Sequence, residues 1–411
     1  MRRRVRRARV APLADADKMQ YRRFGRTELA MPVFSCGGMR YQHAWKDKPP
    51  EEIPPESQRN LETTIRRALE LGIRHIETAR GYGTSEMQLG RILPTVPRNS
   101  IIVQTKVPPF EDAAQFLKAF ETSMGYLGLE RLDLLAIHGV NNRSLLDWTL
   151  RPGGCLEAAL RLKADGRVGH VGFSTHAPLE IILEAIASDA FEYVNLHWYY
   201  IFQSNAPAID AARRRDMGVF IISPSDKGGH LYQPSRRLAE LCAPLSPIVF
   251  NDLFCLSRPD VHTLSIGAAR PEDFDEHLKA LDLLAGADDL LPPIIERLEA
   301  AMVDALGADW LATWSQGLPS PDETPGRLNI GVILWLRNLV LAYGMVDYAK
   351  ARYNLLGNGS HWFPGEKADK VADLDLRACL AASPHADRIP ALLAETHQRL
   401  AGPEVKRLAE G

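Results

Sequence analysis

Cysteine is sparse in this sequence and its spacing carries no recognisable pattern. The five cysteines include no CxxC pair and stand at positions Cys36, Cys155, Cys242, Cys255 and Cys379. An odd and scattered set supports neither a disulfide framework nor a zinc ribbon. It favours a reducing compartment, so we predict a cytoplasmic protein without a metal site.

Long apolar runs and an excess of one charge are missing as well. The longest apolar candidate, 330–341, is interrupted by Arg337 and Asn338, whereas a membrane span needs about 20 apolar residues. The formal net charge is -2 over 411 residues, without the basic surplus that nucleic-acid binding requires. We therefore expect neither a membrane span nor a nucleic-acid partner.

One local surplus of charge lies at the N-terminus. The first nine residues contain six arginines and no acid. No apolar segment of the secretory type follows them, and we predict that residues 1–18 form a basic, disordered tail. A targeting leader and a start site set too far upstream of Met19 stay open.

From Pro32 to about Ala287, short apolar runs alternate with amphipathic stretches. Counting from Val33 gives eight strand-plus-helix units, which in about 250 residues predict a closed α/β barrel of the (β/α)₈ type. We assign residues 19–287 to this barrel, with Tyr21 to Met31 as a hairpin that plugs its bottom. Residues 288–411 are rich in proline and tryptophan and lack strand signals, so we predict a smaller, mainly helical domain there.

Ionisable residues close three of the predicted strands, which is where such barrels carry their chemistry. Glu77 and Tyr82 follow the second barrel strand, Lys106 closes the third and His138 follows the fourth. A phenol with a pKa near 10 needs a neighbouring cation to become a useful proton donor. Each residue alone has an ordinary structural interpretation, but together they predict a proton-transfer site in which Lys106 lowers the pKa of Tyr82, Glu77 holds Lys106 and His138 orients the substrate oxygen.

At these residues the chain resembles the aldo/keto reductase family. The stretch 72–90 is similar to the signature after that family's second strand, with further matches at 19–27, 166–174, 223–224 and 267–278. The resemblance implies a TIM barrel that uses NADPH to reduce an aldehyde or ketone to an alcohol, with a small carbonyl compound as substrate. Its catalytic Asp, Tyr, Lys and His fall on Glu77, Tyr82, Lys106 and His138, so Glu replaces Asp.

The same resemblance implies the cofactor contacts. Ser174, Thr175 and Asn195 would hold the nicotinamide carboxamide, and Ser223 and Lys227 would lie near the pyrophosphate. Gly267 and Arg270 precede a helix predicted over 271–283, whose N-terminus suits a phosphate, and Arg270 would favour the 2′-phosphate of NADPH over NADH. The chain departs from the family at five positions: Glu77 replaces Asp, Thr175 replaces Asn, Asn195 replaces Gln, Ile222 replaces the aromatic on which the nicotinamide stacks, and His277 replaces the Asn that contacts the adenine. These departures keep open a nucleotide-binding regulatory or scaffold protein with little turnover.

The C-terminal part resembles a family branch with a ferredoxin-like domain that carries two four-cysteine iron–sulfur clusters. Here only Cys379 lies beyond residue 260, whereas one cluster takes about four thiolates. We therefore expect a degenerate domain without clusters, which argues against electron transfer and leaves a protein partner open. We expect its core to be filled by Trp310, Trp314, Trp335 and Trp362. Its most distinctive segments, 352–354 and 361–365, suggest no chemistry.

Overall fold

A computed structural model describes residues 18–406, and within them eight parallel strands close into a barrel. Each strand pairs with the next along the chain, and the last pairs with the first. This confirms the predicted (β/α)₈ architecture. Almost all of the predicted basic tail, 1–17, lies outside the described residues. The barrel strands are β3 (Phe34–Gly37), β4 (His75–Glu77), β5 (Ile102–Val107), β6 (Leu132–Ile137), β7 (Val168–Ser174), β8 (Tyr193–Leu196), β9 (Gly218–Ile221) and β10 (Thr263–Ile266).

Helices surround the barrel, and each turns its apolar face toward the strands. On the first of them Leu61, Ile65 and Ala68 recur at helical spacing and are all fully buried, as expected for one stripe of an amphipathic helix. The helices are α1 (Pro55–Glu70), α2 (Ser85–Leu89), α3 (Ala113–Leu127), α4 (Arg143–Leu150), α5 (Cys155–Ala164), α6 (Leu179–Ala187), α7 (Ala206–Arg214), α8 (Arg236–Cys242), α9 (Pro247–Ser257) and α10 (Phe274–Leu283).

The N-terminal end of the barrel is closed by a hairpin, as the sequence predicts. Strands β1 (Tyr21–Arg23) and β2 (Ala30–Pro32) pair antiparallel. Between them the fully buried Phe24 joins a small interior cluster with Met31, Leu134, Ala136, Tyr193 and Phe220. Its ring centroid lies 5.6 Å from that of Tyr193. The hairpin therefore fills the bottom of the barrel and leaves the carboxyl ends of the strands for chemistry.

The region after the barrel is helical. Helix α11 packs against α8 and α9 of the barrel, and α13 packs against α11, α14 and α15. These helices are α11 (Ala287–Leu306), α12 (Ala308–Thr313), α13 (Ile330–Tyr343), α14 (Val346–Tyr353) and α15 (Ile389–Leu400). Among residues 18–406 no single helix is long and apolar enough to cross a membrane, and only the bent pair α8–α9 meets the length and composition jointly.

The tryptophans of this region do not share one core, so that expectation is wrong. Trp310 is buried and its indole N–H donates to Asn338 Oδ1 at 3.0 Å, while Trp314 is only half-buried. The indole of Trp335 instead donates to the carbonyl of Ile201 in a barrel loop at 3.0 Å. Trp362 reaches the mouth of the barrel. Two of the four side chains therefore join the helical region to the barrel.

Phe24→Ala tests the plug. Because the ring is fully buried against Tyr193, we expect its loss to lower the free energy of unfolding by about 3–5 kcal/mol. Leu160→Ala is the matched control, since Leu160 is 41% exposed, and its effect should stay within about 0.5 kcal/mol. Denaturant titration of both variants gives the comparison. Equal effects would show that the hairpin does not stabilise the barrel.

Candidate active site

A buried ion pair lies at the carboxyl end of the barrel. The Lys106 ammonium, on β5, contacts the carboxylate of Glu77 at the end of β4. It also donates to the carbonyl of Thr78 at 2.8 Å. Lys106 is 1% exposed and Glu77 3%, so the two charges neutralise each other away from water. The structure thus brings together two of the predicted catalytic residues, and the longer Glu side chain reaches the lysine.

Tyr82 lies over this pair and faces His138. The Lys106 Nζ is 4.7 Å from the centre of the Tyr82 ring, and the Tyr82 and His138 ring centroids are 5.7 Å apart, edge to face. The turn that carries Tyr82 requires glycine next to it. Gly83 has a φ of +53°, and a Cβ there would overlap the carbonyl of Ala44.

Burial sets the protonation of this group. It raises the pKa of Tyr82 above its ordinary value of 10.0, so the phenol is protonated at neutral pH. Burial therefore dominates the pKa of Tyr82, and a lowering of that pKa by Lys106 stays a prediction. Burial also lowers the pKa of His138, as do the positive charges of Lys106, His361 and Lys227, and the imidazole is neutral. Burial lowers the pKa of Lys106, an effect that the adjoining Glu77 carboxylate opposes.

The three residues predicted to hold the nicotinamide differ in what they offer. Ser174 Oγ accepts the N–H of Gly139 at 3.0 Å. The Thr175 hydroxyl donates to the carbonyl of Val140 at 2.8 Å and accepts the N–H of Ala177 at 3.0 Å. Asn195 is fully buried, and within the described part of the chain neither its Oδ1 nor its Nδ2 has a hydrogen-bond partner. Thr175 is satisfied internally, whereas Asn195 is not.

The loop after β9 carries Ser223 and Lys227. Ser223 has left-handed backbone, with a φ of +53°, and its carbonyl accepts the N–H of Lys227 at 3.0 Å. The Lys227 Nζ lies 3.3 Å from His176 Nε2 and 3.5 Å from His197 Nε2. Burial, followed by the positive charge of Arg352, lowers the pKa of Lys227 to about 7. Lys227 therefore points toward the centre of the mouth, among imidazoles.

Gly267 and Arg270 follow β10. The carbonyl of Gly267 accepts a hydrogen bond from the guanidinium of Arg40 at 2.7 Å. The Arg270 side chain is 71% exposed and lies 3.3 Å from Asp273, which also accepts the N–H of Ala269 at 2.7 Å. The helix predicted over 271–283 is divided, with a 3-10 turn over Pro271–Asp273 before α10. Asp273 therefore takes one of the N–H groups that a phosphate would use, and Arg270 is left as the accessible cation.

His277 lies in an internal network. Its Nδ1 is 2.5 Å from Asp252 Oδ2 and its Nε2 is 3.0 Å from the Tyr232 hydroxyl. The side chain is fully buried. It therefore stabilises the packing of α10 on α9 and does not stand in for a ligand-contacting asparagine.

The C-terminal region supplies residues that sequence analysis did not place in the site. The Trp362 ring lies 4.9 Å from that of His138 and 5.1 Å from that of His176. His361 Nδ1 is 3.0 Å from Asn141 Nδ2. Both residues belong to the segment 361–365, which is distinctive in the sequence. Nothing in that segment indicates that it contacts the barrel. The mouth is therefore built by both parts of the chain.

A phenol over a buried lysine–carboxylate pair, beside a neutral imidazole, thus lies at the mouth of a (β/α)₈ barrel. Residues 34–230 match the model of the aldo/keto reductase family. That part of the chain, a little under half of it, is therefore similar to this family.

Relatives with curated names match part of the chain. An aldo-keto reductase of Mycobacterium sp. (strain JLS) is 33% identical over 153 residues, which are 36% of this chain and 52% of the relative. L-glyceraldehyde 3-phosphate reductase of Escherichia coli K12 is 27% identical over 39% of this chain and 46% of its own. Morphine 6-dehydrogenase of Pseudomonas putida is 29% identical over 41% of this chain and 55% of its own. The chain thus spans about half the length of the curated relatives that it matches.

Solved structures share the fold. An aldo-keto reductase from Bacillus halodurans in its holo form gives a TM-score of 0.56 at 19% identity, covering 68% of this chain and 96% of that one. An aldo-keto reductase from Klebsiella pneumoniae in complex with NADPH gives a TM-score of 0.53 at 19% identity, covering 67% and 96%.

Asn195→Leu tests whether the unpartnered amide of Asn195 lowers the free energy of unfolding. An apolar side chain of similar size removes the unsatisfied polar atoms, so we expect the free energy of unfolding to rise by about 1–3 kcal/mol. Asn338→Leu is the matched control, because it would leave the Trp310 indole unpaired and lower stability by a similar amount. A loss of stability in both variants would show that Asn195 is satisfied in the folded protein.

Proposed function

We propose that this chain is an NADPH-dependent oxidoreductase that reduces an aldehyde or ketone to an alcohol. The observation that carries the proposal is the protonated phenol of Tyr82 over the buried Lys106, with the neutral His138 beside it. The similarity of residues 34–230 to the family supports it, as do matched relatives that are named reductases or dehydrogenases.

The residues at the mouth fit the cofactor. Asn195 has a free amide donor and acceptor, which complement the carboxamide of a nicotinamide, and Ser174 lies beside it in register on the neighbouring strand. Ser223 would face the pyrophosphate and Gly267 with the exposed Arg270 the 2′-phosphate, whereas the Lys227 side chain points away from them toward His176 and His197. When bound, NADPH would supply the hydride. A structure with an NADPH ligand among the fold neighbours supports this choice.

In this mechanism Tyr82 donates its phenolic proton to the carbonyl oxygen as the carbon is reduced. His138, neutral and 8% exposed, orients that oxygen through a hydrogen bond. Lys106 stabilises the phenolate that remains, because its charge lies under the ring. Glu77 is a positioning residue, since it holds Lys106 in place and has no contact with the phenol.

We further propose that the chain divides near residue 287 into the barrel and a helical unit that covers its mouth. Trp362 and His361 contact the barrel at His138 and Asn141. Kinship of this unit with a ferredoxin-like domain, and its use by a protein partner, stay predictions.

Tyr82→Phe tests the proton donor. We expect carbonyl reduction to fall about 10²–10⁴-fold, because the variant lacks the only group that we assign to protonate the oxygen. NADPH affinity, followed by fluorescence titration, should be nearly unchanged. Lys106→Met should also be severely impaired. Tyr126→Phe is the control, since that phenol lies on α3 and donates to Asp47.

Glu77→Asp extends this test to the positioning residue. The shorter side chain would withdraw the carboxylate from Lys106, so we expect lower turnover with unchanged NADPH affinity. Equal or higher turnover would mean that Glu77 is only a tolerated substitute. A wild-type protein that binds NADPH but reduces no aldehyde, ketone or quinone, and behaves like Tyr82→Phe, would favour a scaffold.

Arg270→Ala tests cofactor choice. If Arg270 holds the 2′-phosphate in a charge-assisted bond, NADPH binding should weaken by about 1.5–3 kcal/mol while NADH binding stays unchanged. Lys279→Ala, on the following helix α10 and 63% exposed, controls for the loss of a surface cation. Equal losses for both cofactors would show that Arg270 does not recognise the phosphate.

A further inference from the structure

Two cations from different parts of the chain lie near the mouth, and neither forms an ion pair with a carboxylate among residues 18–406. Lys227 belongs to the loop after β9 and Arg352 to α14. Among the ion pairs of residues 18–406, neither side chain has a carboxylate oxygen within 4.0 Å. Their proximity is felt electrostatically, because the charge of Arg352 adds to burial in lowering the pKa of Lys227. A partly buried pair of like charges is costly unless an anion joins it.

The surroundings of Lys227 supply no such anion. Its ammonium faces His176 at 3.3 Å and His197 at 3.5 Å, and the pKa of each imidazole is lowered by burial and by the Lys227 and Arg352 charges. Asp226 exerts a weaker opposing effect, and its carboxylate lies 3.9 Å from Arg40. Lys227 is therefore surrounded by neutral rings and a second cation.

Arg352 is held in place but not paired. Its Nε is buried and has no hydrogen-bond partner among the described residues. The guanidinium carbon lies 3.9 Å above the ring of Phe363. One turn earlier on α14, the Tyr348 hydroxyl donates to the carbonyl of Lys227 at 2.7 Å. This bond holds α14 against the loop after β9, so it fixes the position of Arg352 relative to Lys227.

The pair lies next to the proposed chemistry. His176, which contacts the Lys227 ammonium, packs against the Trp362 ring at 5.1 Å, and that ring packs against His138 at 4.9 Å. Lys227 is near enough to His138 for its charge to lower the pKa of that imidazole. The two cations therefore lie on the same side of the mouth as the group that would meet the carbonyl oxygen. A guanidinium and an ammonium together suit a carboxylate or a phosphate.

We propose that Lys227 and Arg352 bind the anionic group of the carbonyl substrate, which is therefore a small carboxylate- or phosphate-bearing aldehyde or ketone. The substrate class rests on the proposed function, whereas the anion site itself does not. The other possible source of such a group is the cofactor's diphosphate, and the experiment separates the two.

The experiment measures binding of unreactive, product-like alcohols to the full chain by calorimetry, with and without saturating NADP⁺. The probes are 4-hydroxybutyrate against 1,4-butanediol, and 3-hydroxypropyl phosphate against 1,3-propanediol. We expect at least one acid to bind tenfold or more tightly than its neutral partner. Arg352→Met, which keeps an apolar stem over Phe363, should remove that preference, and Arg352→Lys should restore part of it.

Lys350→Met is the matched control, because Lys350 is exposed on the same helix, and it should leave the preference unchanged. The proposal is overturned if neither acid binds more tightly than its neutral partner. It is also overturned if Arg352→Met and Lys350→Met reduce that preference equally. It is also overturned if Arg352→Met weakens NADP⁺ binding by the same factor as acid binding, since the anion would then be the cofactor's. A retained preference for acids in a protein that reduces no carbonyl would support the anion site and refute the proposed function.

Discussion

The contact between Lys106 and Glu77 determines how the rest of the mouth is arranged. Two charges inside a barrel are tolerated only when they meet each other and their remaining bonds are satisfied. The Lys106 ammonium meets both conditions, since it contacts the Glu77 carboxylate and also donates to the carbonyl of Thr78, the residue after Glu77. The end of β4 is thereby tied to β5. The turn that follows carries Tyr82 over the lysine, so the place of the phenol depends on a bond one strand away.

Hydrogen-bond satisfaction separates the residues of this mouth into two groups. Thr175 and His277 lie where a ligand could be expected, yet each is fully engaged with its own chain. The buried Asn195 and the half-buried Arg352 each have buried polar atoms without a hydrogen-bond partner in the described chain. Because such atoms cost stability when left alone, they mark where a ligand would contribute most to the free energy of binding.

Much of the fold could be predicted from the sequence, because alternating apolar runs and amphipathic helices are local patterns. The same is true of Glu77, Lys106 and His138, which are recognisable as polar residues that close apolar strands. The pKa of Tyr82 could not be predicted, since it depends on how deeply the packed mouth buries the phenol. The contact of Trp362 with His138 could not be predicted either, because it joins segments far apart in the chain and no local pattern records it. Trp335 was misplaced for the same reason.

Gly139 is required by two unrelated constraints. Its φ of +76° belongs to the left-handed region, and a Cβ at this position would also overlap the ring of Trp362. Asparagine tolerates left-handed backbone better than most residues, so at this position it would meet the first constraint and violate the second. Position 139 therefore sets how closely the Trp362 ring can approach the barrel. A single side chain there could lift the indole from the mouth while both parts of the chain remain whole, which truncation of the C-terminal helices could not achieve.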